Sequence, residues 1–198
     1  MRLSEARKDY YRKRAKEEGY KSRAAYKLLE AVRRYRLIKP GDRVVDLGAA
    51  PGGWLQVASE AAGPRGLVVG VDLSTIKVEG ENVRALKMDI NDVGLVAKVE
   101  ALLNRPADVL LSDLSPKISG IWDLDQYRQI DLAIRSITLG DALLRPGGNA
   151  MLKVFQGERF GEAEAEARKR YGFVSLMKPD ASRPTSSEMY LLCLGRLG

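Results

Sequence analysis

A turn built of small residues, set between a strand pattern and a helix pattern, constrains this chain more than any other feature. Asp46-Leu47-Gly48-Ala49-Ala50-Pro51-Gly52-Gly53-Trp54 follows the apolar run 43–47 and opens a helical stretch over 53–62. Small residues there let a ligand approach the backbone, and the free N–H groups of the following helix favour an anionic group such as a carboxylate. Downstream the pattern alternates. Strands are expected at 43–47, 67–71, 83–88, 107–112, 149–155, 173–177 and 188–194, with helices near 53–62, 93–104, 125–144 and 161–171. Strands alternating with helices imply a parallel sheet covered on both faces. The last two strands have no helix between them, so the final strand is expected to be antiparallel.

Two acids complete the picture of a ligand crevice. Asp72 ends the second strand, where a carboxylate can accept from ribose hydroxyls, and Asp89 ends the third, where it can accept from an adenine amino group. The loop is not G-x-G-x-x-G, which speaks against a dinucleotide and hence against a nucleotide-dependent oxidoreductase. It is not G-x-x-x-x-G-K-[ST] either, which speaks against a nucleoside triphosphate. An adenosine ligand with a small carboxylate and no phosphate fits best, and S-adenosylmethionine is such a ligand.

Composition narrows the chemistry. The 198 residues contain no histidine and one cysteine, which removes Ser-His-Asp and Cys-His catalysis, histidine-ligated metals and intrachain disulfides. No metal is expected. The motif that usually marks base-amino methylation, Asp/Asn-Pro-Pro-aromatic, is absent; its place holds Ser112-Asp113-Leu114-Ser115-Pro116. Cys193, the only candidate nucleophile for pyrimidine C5 chemistry, lies in the apolar run 190–194 and reads as core. A hydroxyl acceptor remains. Lys153 is the unusual residue, flanked by Met151, Leu152, Val154 and Phe155 inside an expected central strand. A lysine serves as a base when desolvation or neighbouring cations favour its neutral form, whereas carboxylates such as Asp113 and Glu188 would orient it while opposing that form.

The charge is concentrated at one end. The net charge is +7, yet residues 1–39 hold 14 Lys+Arg against 5 Asp+Glu, and residues 40–198 hold 19 against 21. Tyr10, Tyr11, Tyr20, Tyr26 and Tyr35 are interleaved with these cations, a composition suited to phosphates and unpaired bases. Helices are expected over 5–17 and 22–37, the second capped by Ser22 and ended by Lys39-Pro40-Gly41. Candidate RNA contacts are Lys21, Arg23, Tyr26, Arg33 and Arg34. No apolar run is long enough to cross a membrane and no secretory signal is seen, so a cytoplasmic protein is expected, and with no long exposed apolar seam visible a monomer is expected.

Several segments together resemble the FtsJ/RrmJ family of S-adenosylmethionine-dependent RNA 2'-O-ribose methyltransferases. They are 21–28 (KSRAAYKL), the loop Asp46 to Trp54, 112–116 (SDLSP), 152–158 (LKVFQGE), 178–180 (KPD) and 187–190 (SEMY), in order from Tyr20 to the C-terminus. The resemblance implies a Rossmann-like methyltransferase fold: an α/β, mostly parallel seven-stranded sheet with an antiparallel last strand and helices on both faces. Residues 40–198 would form this domain and residues 1–39 a basic helical arm of the same domain that contacts RNA. It implies a catalytic tetrad of Lys27, Asp113, Lys153 and Glu188, with Lys153 as the base. Donor contacts are expected at Gly48, Pro51, Gly52, Gly53, Trp54, Asp72, Asp89 and Asp113. The chain ends shortly after its last expected strand, as the ribosomal members do, so a uridine of large-subunit ribosomal RNA is expected ahead of transfer RNA.

Overall fold

The strand segments 44–47, 68–71 and 107–112 are buried almost without interruption, the pattern of strands sandwiched between helices rather than facing water on one side. In a computed structural model that describes the backbone of residues 3–183 and 186–198, with side chains from Tyr10 onward, they assemble into one sheet. The elements are α1 (Leu3–Glu17), α2 (Ala25–Tyr35), β1 (Arg43–Leu47), α3 (Gly53–Ala62), β2 (Leu67–Asp72), β3 (Val83–Lys87) and α4 (Leu95–Leu103). They continue with β4 (Ala107–Ser112), α5 (Trp122–Leu143), β5 (Leu144–Phe155), α6 (Phe160–Arg168), β6 (Tyr171–Met177) and β7 (Glu188–Arg196).

The sheet order is β3-β2-β1-β4-β5-β7-β6. Strands β1 to β5 pair in parallel, and β7 inserts antiparallel between β5 and β6, as expected from the missing helix before it. From β1 the chain runs outward one way through β2 and β3, then crosses to β4 on the other side. That reversal opens a crevice at the carboxyl ends of β1 and β4, where α/β sheets bind ligands.

Each face of the sheet has its own core. Helices α4, α5 and α6 cover one through Leu95, Val99, Ile130, Ile137 and Ala163. Helices α2 and α3 cover the other through Leu28, Ala31, Trp54, Leu55 and Val57. Burying the seven Leu, Ile and Val side chains among them, at roughly 1.5–3 kcal/mol each, helps hold the layers together.

Among the boundaries that differ from expectation, three have a visible physical cause. Ser22 is not a helix cap: α2 begins at Ala25, whose N–H donates to the Ser22 carbonyl at 3.2 Å. The Ser22 hydroxyl instead occupies the space a Cβ on Gly53 would need, 2.3 Å from that position. Helix α2 ends at Tyr35, before Lys39-Pro40-Gly41, because Arg36 turns left-handed (φ 50°) and sends Leu37 and Ile38 into the core. Strand β5 starts at Leu144, earlier than expected, since the turn 145–148 is accommodated as an irregularity against β4.

Gly52 is conformationally required. Its φ is 119°, and a Cβ there would lie 2.0 Å from Val78 Cγ2. Gly52→Ala is therefore expected to destabilise the protein by about 1–3 kcal/mol, seen as a lower urea midpoint. Adding Val78→Ala should recover the part due to overlap but not the part due to backbone strain.

Candidate active site

Four charged side chains from distant parts of the chain meet above β4, β5 and β7. Lys27 comes from α2, Asp113 from the end of β4, Lys153 from β5 and Glu188 from the start of β7. Strand alternation explains part of the convergence. Lys153 pairs across the ladder with Tyr190 and Phe155 with Glu188, so residues two apart on each strand share a face. Lys27 and Lys153 are only 5% and 6% exposed, so neither charge can be left to water.

The charges neutralise one another. Lys27 Nζ donates to Glu188 Oε1 in a very short contact and to the Tyr190 hydroxyl at 3.1 Å. Lys153 Nζ donates to the Asp113 carbonyl and to Ser115 Oγ, both at 2.9 Å, and pairs with Asp113 Oδ1 at 2.9 Å and Glu188 Oε2 at 3.7 Å. The Tyr190 hydroxyl donates to Asp113 Oδ1 at 2.7 Å, linking the two halves. Burial alone would raise the Glu188 carboxyl, but Lys27 and Lys153 outweigh it and hold the group below its ordinary value. Burial, reinforced by Asp113 and Glu188, pushes the Tyr190 phenol well above its ordinary value, so it stays a neutral donor.

Next to this network lies a cavity of about 460 Å³ at the carboxyl ends of β1, β2, β3 and β4. Gly48, Ala50, Asp72, Met88, Asp89, Asp113 and Leu114 are among the residues that line it. Asp72 is oriented by the N–H groups of Ala50 (3.0 Å) and Ser74 (2.7 Å), which leaves each oxygen a second lone pair. Asp89 accepts from Asn91 N–H at 2.8 Å through one oxygen. Gly48 has φ 77°, and a Cβ there would press within 3.0 Å of Leu114 Cδ2. Asp113 and Ser115 belong both to this wall and to the surroundings of Lys153.

The residues present fit S-adenosylmethionine. The wall carries three carboxylates and no lysine or arginine, the reverse of what a diphosphate requires. Behind it Asp46, fully buried on β1, has no hydrogen-bond partner on either oxygen. Burial, and after it the charges of Asp113 and Asp72, push its carboxyl well above the ordinary value. A cationic ligand offsets such a concentration of acids. Among the described residues no group of three His, Cys, Asp or Glu could hold a metal ion.

The sequence-derived residues divide. Gly48, Asp72, Asp89 and Asp113 line the cavity, while Pro51, Gly52, Gly53 and Trp54 are not part of its lining. Trp54 is buried; its indole N–H donates to the Ala24 carbonyl at 2.8 Å, and its ring lies 5.5 Å from that of Tyr190. It braces α2 and the network rather than offering a side chain to the ligand. In the arm, Lys21, Arg33 and Arg34 are exposed, and Arg23 is half-buried with its guanidinium donating to the Ala181 carbonyl at 3.2 Å. Tyr26 is buried: Tyr11, Tyr20 and the Arg14 guanidinium cover its ring, and its hydroxyl donates to Glu18. Its ring is used inside the protein and has no open face for a base. Pro184 and Thr185, between the 178–180 and 187–190 segments, lie outside the described residues, as do Met1 and Arg2.

Sequence reasoning missed Tyr190, Ser115, Ser182 and the role of Asp46. Ser182 Oγ donates to Glu188 Oε1 at 3.3 Å. Tyr190 had a signal, its position two residues after Glu188 on one strand, and so did Asp46, an acid set between Val45 and Leu47 in a strand. The two serines had none.

Comparison with known proteins is consistent with this geometry. Residues 20–196 match the family model described as FtsJ-like methyltransferase. Ribosomal RNA large subunit methyltransferase E of Nitrosopumilus maritimus is 46% identical over 198 residues, covering 100% of both chains. The protein of that name from Methanobrevibacter smithii is 46% identical over 191 residues, covering 96% of this chain and 91% of its own. Among solved structures, a Plasmodium falciparum protein described as a ribosomal RNA methyltransferase superposes with TM-score 0.80 at 26% identity, over 90% of this chain and 100% of its own. Aeropyrum pernix fibrillarin, solved with natively bound S-adenosyl-L-methionine, superposes with TM-score 0.61 at 20% identity, over 87% of this chain and 75% of its own, and shares the fold.

Asp46 yields a pH prediction. Its carboxyl is raised in the folded state, so between the unfolded value near ~4 and the folded one the unfolded chain binds fewer protons, and stability falls as pH rises. Thermal melts of ligand-free protein from pH 4 to 8 should show the wild type losing stability relative to Asp46→Asn. Parallel curves would remove the buried acid from the account.

Proposed function

This chain belongs to the FtsJ-like methyltransferase family, with S-adenosylmethionine as methyl donor and RNA as acceptor, and we propose that it methylates a ribose 2'-hydroxyl of large-subunit ribosomal RNA. The observation that carries the choice of atom is Lys153 Nζ, held by Asp113 and Ser115 on the wall of the donor cavity. A buried lysine at that place suits an alcohol, whose proton must be taken as its oxygen becomes a nucleophile. The names of the similar proteins support ribosomal RNA of the large subunit. A uridine acceptor and a monomer at work in the cytoplasm are part of the same proposal.

When bound, S-adenosylmethionine supplies a methyl carbon activated by its sulfonium sulfur. Asp72 accepts from the ribose hydroxyls of the donor and Asp89 from the adenine amino group. The free N–H groups at the start of α3, those of Gly53 and Trp54, take the carboxylate, and Gly52 makes the turn that presents them. Pro51 shapes the same turn. Asp72 and Asp89, which have no ion pair among the described residues, favour positive charge in the cavity.

On the acceptor side, Lys153 Nζ in its neutral form takes the 2'-hydroxyl proton as that oxygen attacks. Asp113 and Ser115 hold Nζ in place, and Glu188 stabilises the ammonium that forms. Lys27 keeps Glu188 ionised and Tyr190 keeps Asp113 oriented. Positioning of this kind supplies most of the acceleration, with proton removal adding about 10²–10⁴-fold. Lys21, Arg23, Arg33 and Arg34 take phosphates of the RNA, an interaction expected to weaken steeply with salt.

The reading is tested with donor labelled on its methyl group, offered separately with large ribosomal subunits and with total transfer RNA from an unmodified source. A 2'-O-methyl group blocks alkaline cleavage of the next phosphodiester, so label should appear in alkali-resistant dinucleotides from the ribosomal pool. Label in mononucleotides means base methylation and overturns the assigned roles. Lys153→Arg tests the base directly, because arginine keeps the charge and cannot give up its proton. Turnover should fall at least ~100-fold with donor affinity retained. Turnover within about tenfold of wild type would make the residue a fixed cation.

A further inference from the structure

Several exposed apolar side chains in and just before the first turns of α5 take no part in the chemistry described above. Ile118, Ile121, Trp122, Leu124 and Tyr127 are all exposed, Trp122 by 49%. Trp122, the first residue of α5, stacks on Phe155 with ring centroids 6.0 Å apart and planes only 16° from parallel. Phe155 follows Lys153 by two residues on β5, so it lies about 7 Å farther along the same face of the strand.

From this placement we propose that Trp122, backed by Phe155, is a stacking platform for an unpaired nucleobase at or immediately beside the methylated nucleotide. The proposal rests on the reading of the site as a ribose methyltransferase. A ribose whose 2'-hydroxyl meets Lys153 carries its base only one ring carbon away, so base and neighbour must settle within reach of Phe155 and Trp122. An indole stacks on any base, and such stacking is a main source of affinity for single-stranded RNA.

The platform is rigid and tied to the catalytic lysine. Asp125, buried in the first turn of α5, accepts from Ser119 N–H and Oγ, both at 2.8 Å, and from Gly120 N–H at 3.2 Å. Those bonds hold the loop that leads from β4 into Trp122. Gln129 Nε2 donates to the Lys153 carbonyl at 3.0 Å. The loop after β5 closes against α5 so tightly that a Cβ on Gly157 would lie 2.7 Å from Gln126 Cγ. These contacts tie both the loop before Trp122 and the β5 backbone at Lys153 to α5.

Charge favours RNA over an apolar protein partner. Lys117, Arg128 and Arg135 line an adjoining cavity of about 500 Å³ that shares Asn91, Pro116 and Leu132 with the donor site. Among the described residues Lys117 and Arg128 have no ion pair, whereas Arg159, over the Tyr127 ring, is held by Asp131 and Glu162. Two such cations in a cavity adjoining the donor site suit the phosphates of an RNA strand.

Trp122 reports on its own occupancy, because the only other tryptophan, Trp54, is buried. The probes are a 12-residue single-stranded RNA and an RNA of the same length and charge with abasic residues. Base-containing RNA should quench the fluorescence, abasic RNA should not, and Trp122→Ala should abolish the response. Trp122→Ala should also weaken RNA affinity about tenfold, raise KM for RNA similarly and leave donor affinity unchanged, while Trp122→Phe largely restores binding. Equal quenching by abasic RNA, or unchanged RNA affinity and KM in Trp122→Ala, overturns the platform. So does a defect seen only on assembled subunits with naked RNA binding intact, which assigns the patch to a protein contact. Failure of the parent reading is separate: wild type would transfer no methyl group to RNA, while the binding arms still decide whether Trp122 stacks on bases.

Discussion

Two lysines and two carboxylates placed where water barely reaches are the constraint on which the rest of the structure depends. Removing a single partner from such a group leaves a buried charge, at a cost of about 3–5 kcal/mol. Lys27 can be buried on α2 only because Glu188 meets it from β7, and Lys153 only because Asp113 meets it from the end of β4. The antiparallel insertion of β7 beside β5 is what brings Glu188 and Tyr190 opposite Lys153 and Phe155. Helix α2 must therefore lie close to the sheet, and Trp54 holds it there through the Ala24 carbonyl while its ring packs on Tyr190. The basic N-terminal segment is thus more than an appendage. One of its cations, Lys27, is part of the buried network of Glu188, Tyr190, Asp113 and Lys153.

The same end of the sheet offers two electrostatic environments side by side. The donor cavity is lined by Asp72, Asp89 and Asp113, of which only Asp113 is paired with a cation among the described residues, and this suits a cationic ligand. The tetrad is locally neutral and its hydrogen bonds are spent internally, which suits the holding of one lysine in a defined position. Asp113 belongs to both, so charge in one environment is felt in the other. Around them the cations uncommitted to ion pairs and the exposed aromatic ring of Trp122 suit a polyanion with unpaired bases. The cavity and the four charged side chains therefore lie side by side at the carboxyl ends of the strands.

Much of this was legible in the residues. Period-two and period-3.6 patterning showed the strands and helices, because burial on a sheet or on one helix face demands those periods. Gly48 and Gly52 stand where the chain needs positive φ or close approach, a demand that only their side-chain absence meets. Lys153 stood out as a charge in an apolar strand. The less legible features were those that depend on packing partners. Ser22 looked like a cap and serves as a contact for Gly53. Tyr26 looked like a ring for RNA and is buried beneath Arg14 and Tyr11.

The sequence by itself determined the layer order, the ligand edge and the residue types available for chemistry, since local patterning and composition depend only on neighbours in the chain. It determined the identity of the four charged residues through their resemblance to a known family. The tertiary structure alone decided that Tyr190 links Lys27 to Asp113, that Asp46 is buried without a partner, and that Trp122 leans on Phe155 beside the catalytic lysine. Those contacts join residues separated by tens of positions. They arise from strand register, from the crossing at β1 and β4 and from the angle at which α5 enters, none of which any short stretch of sequence encodes.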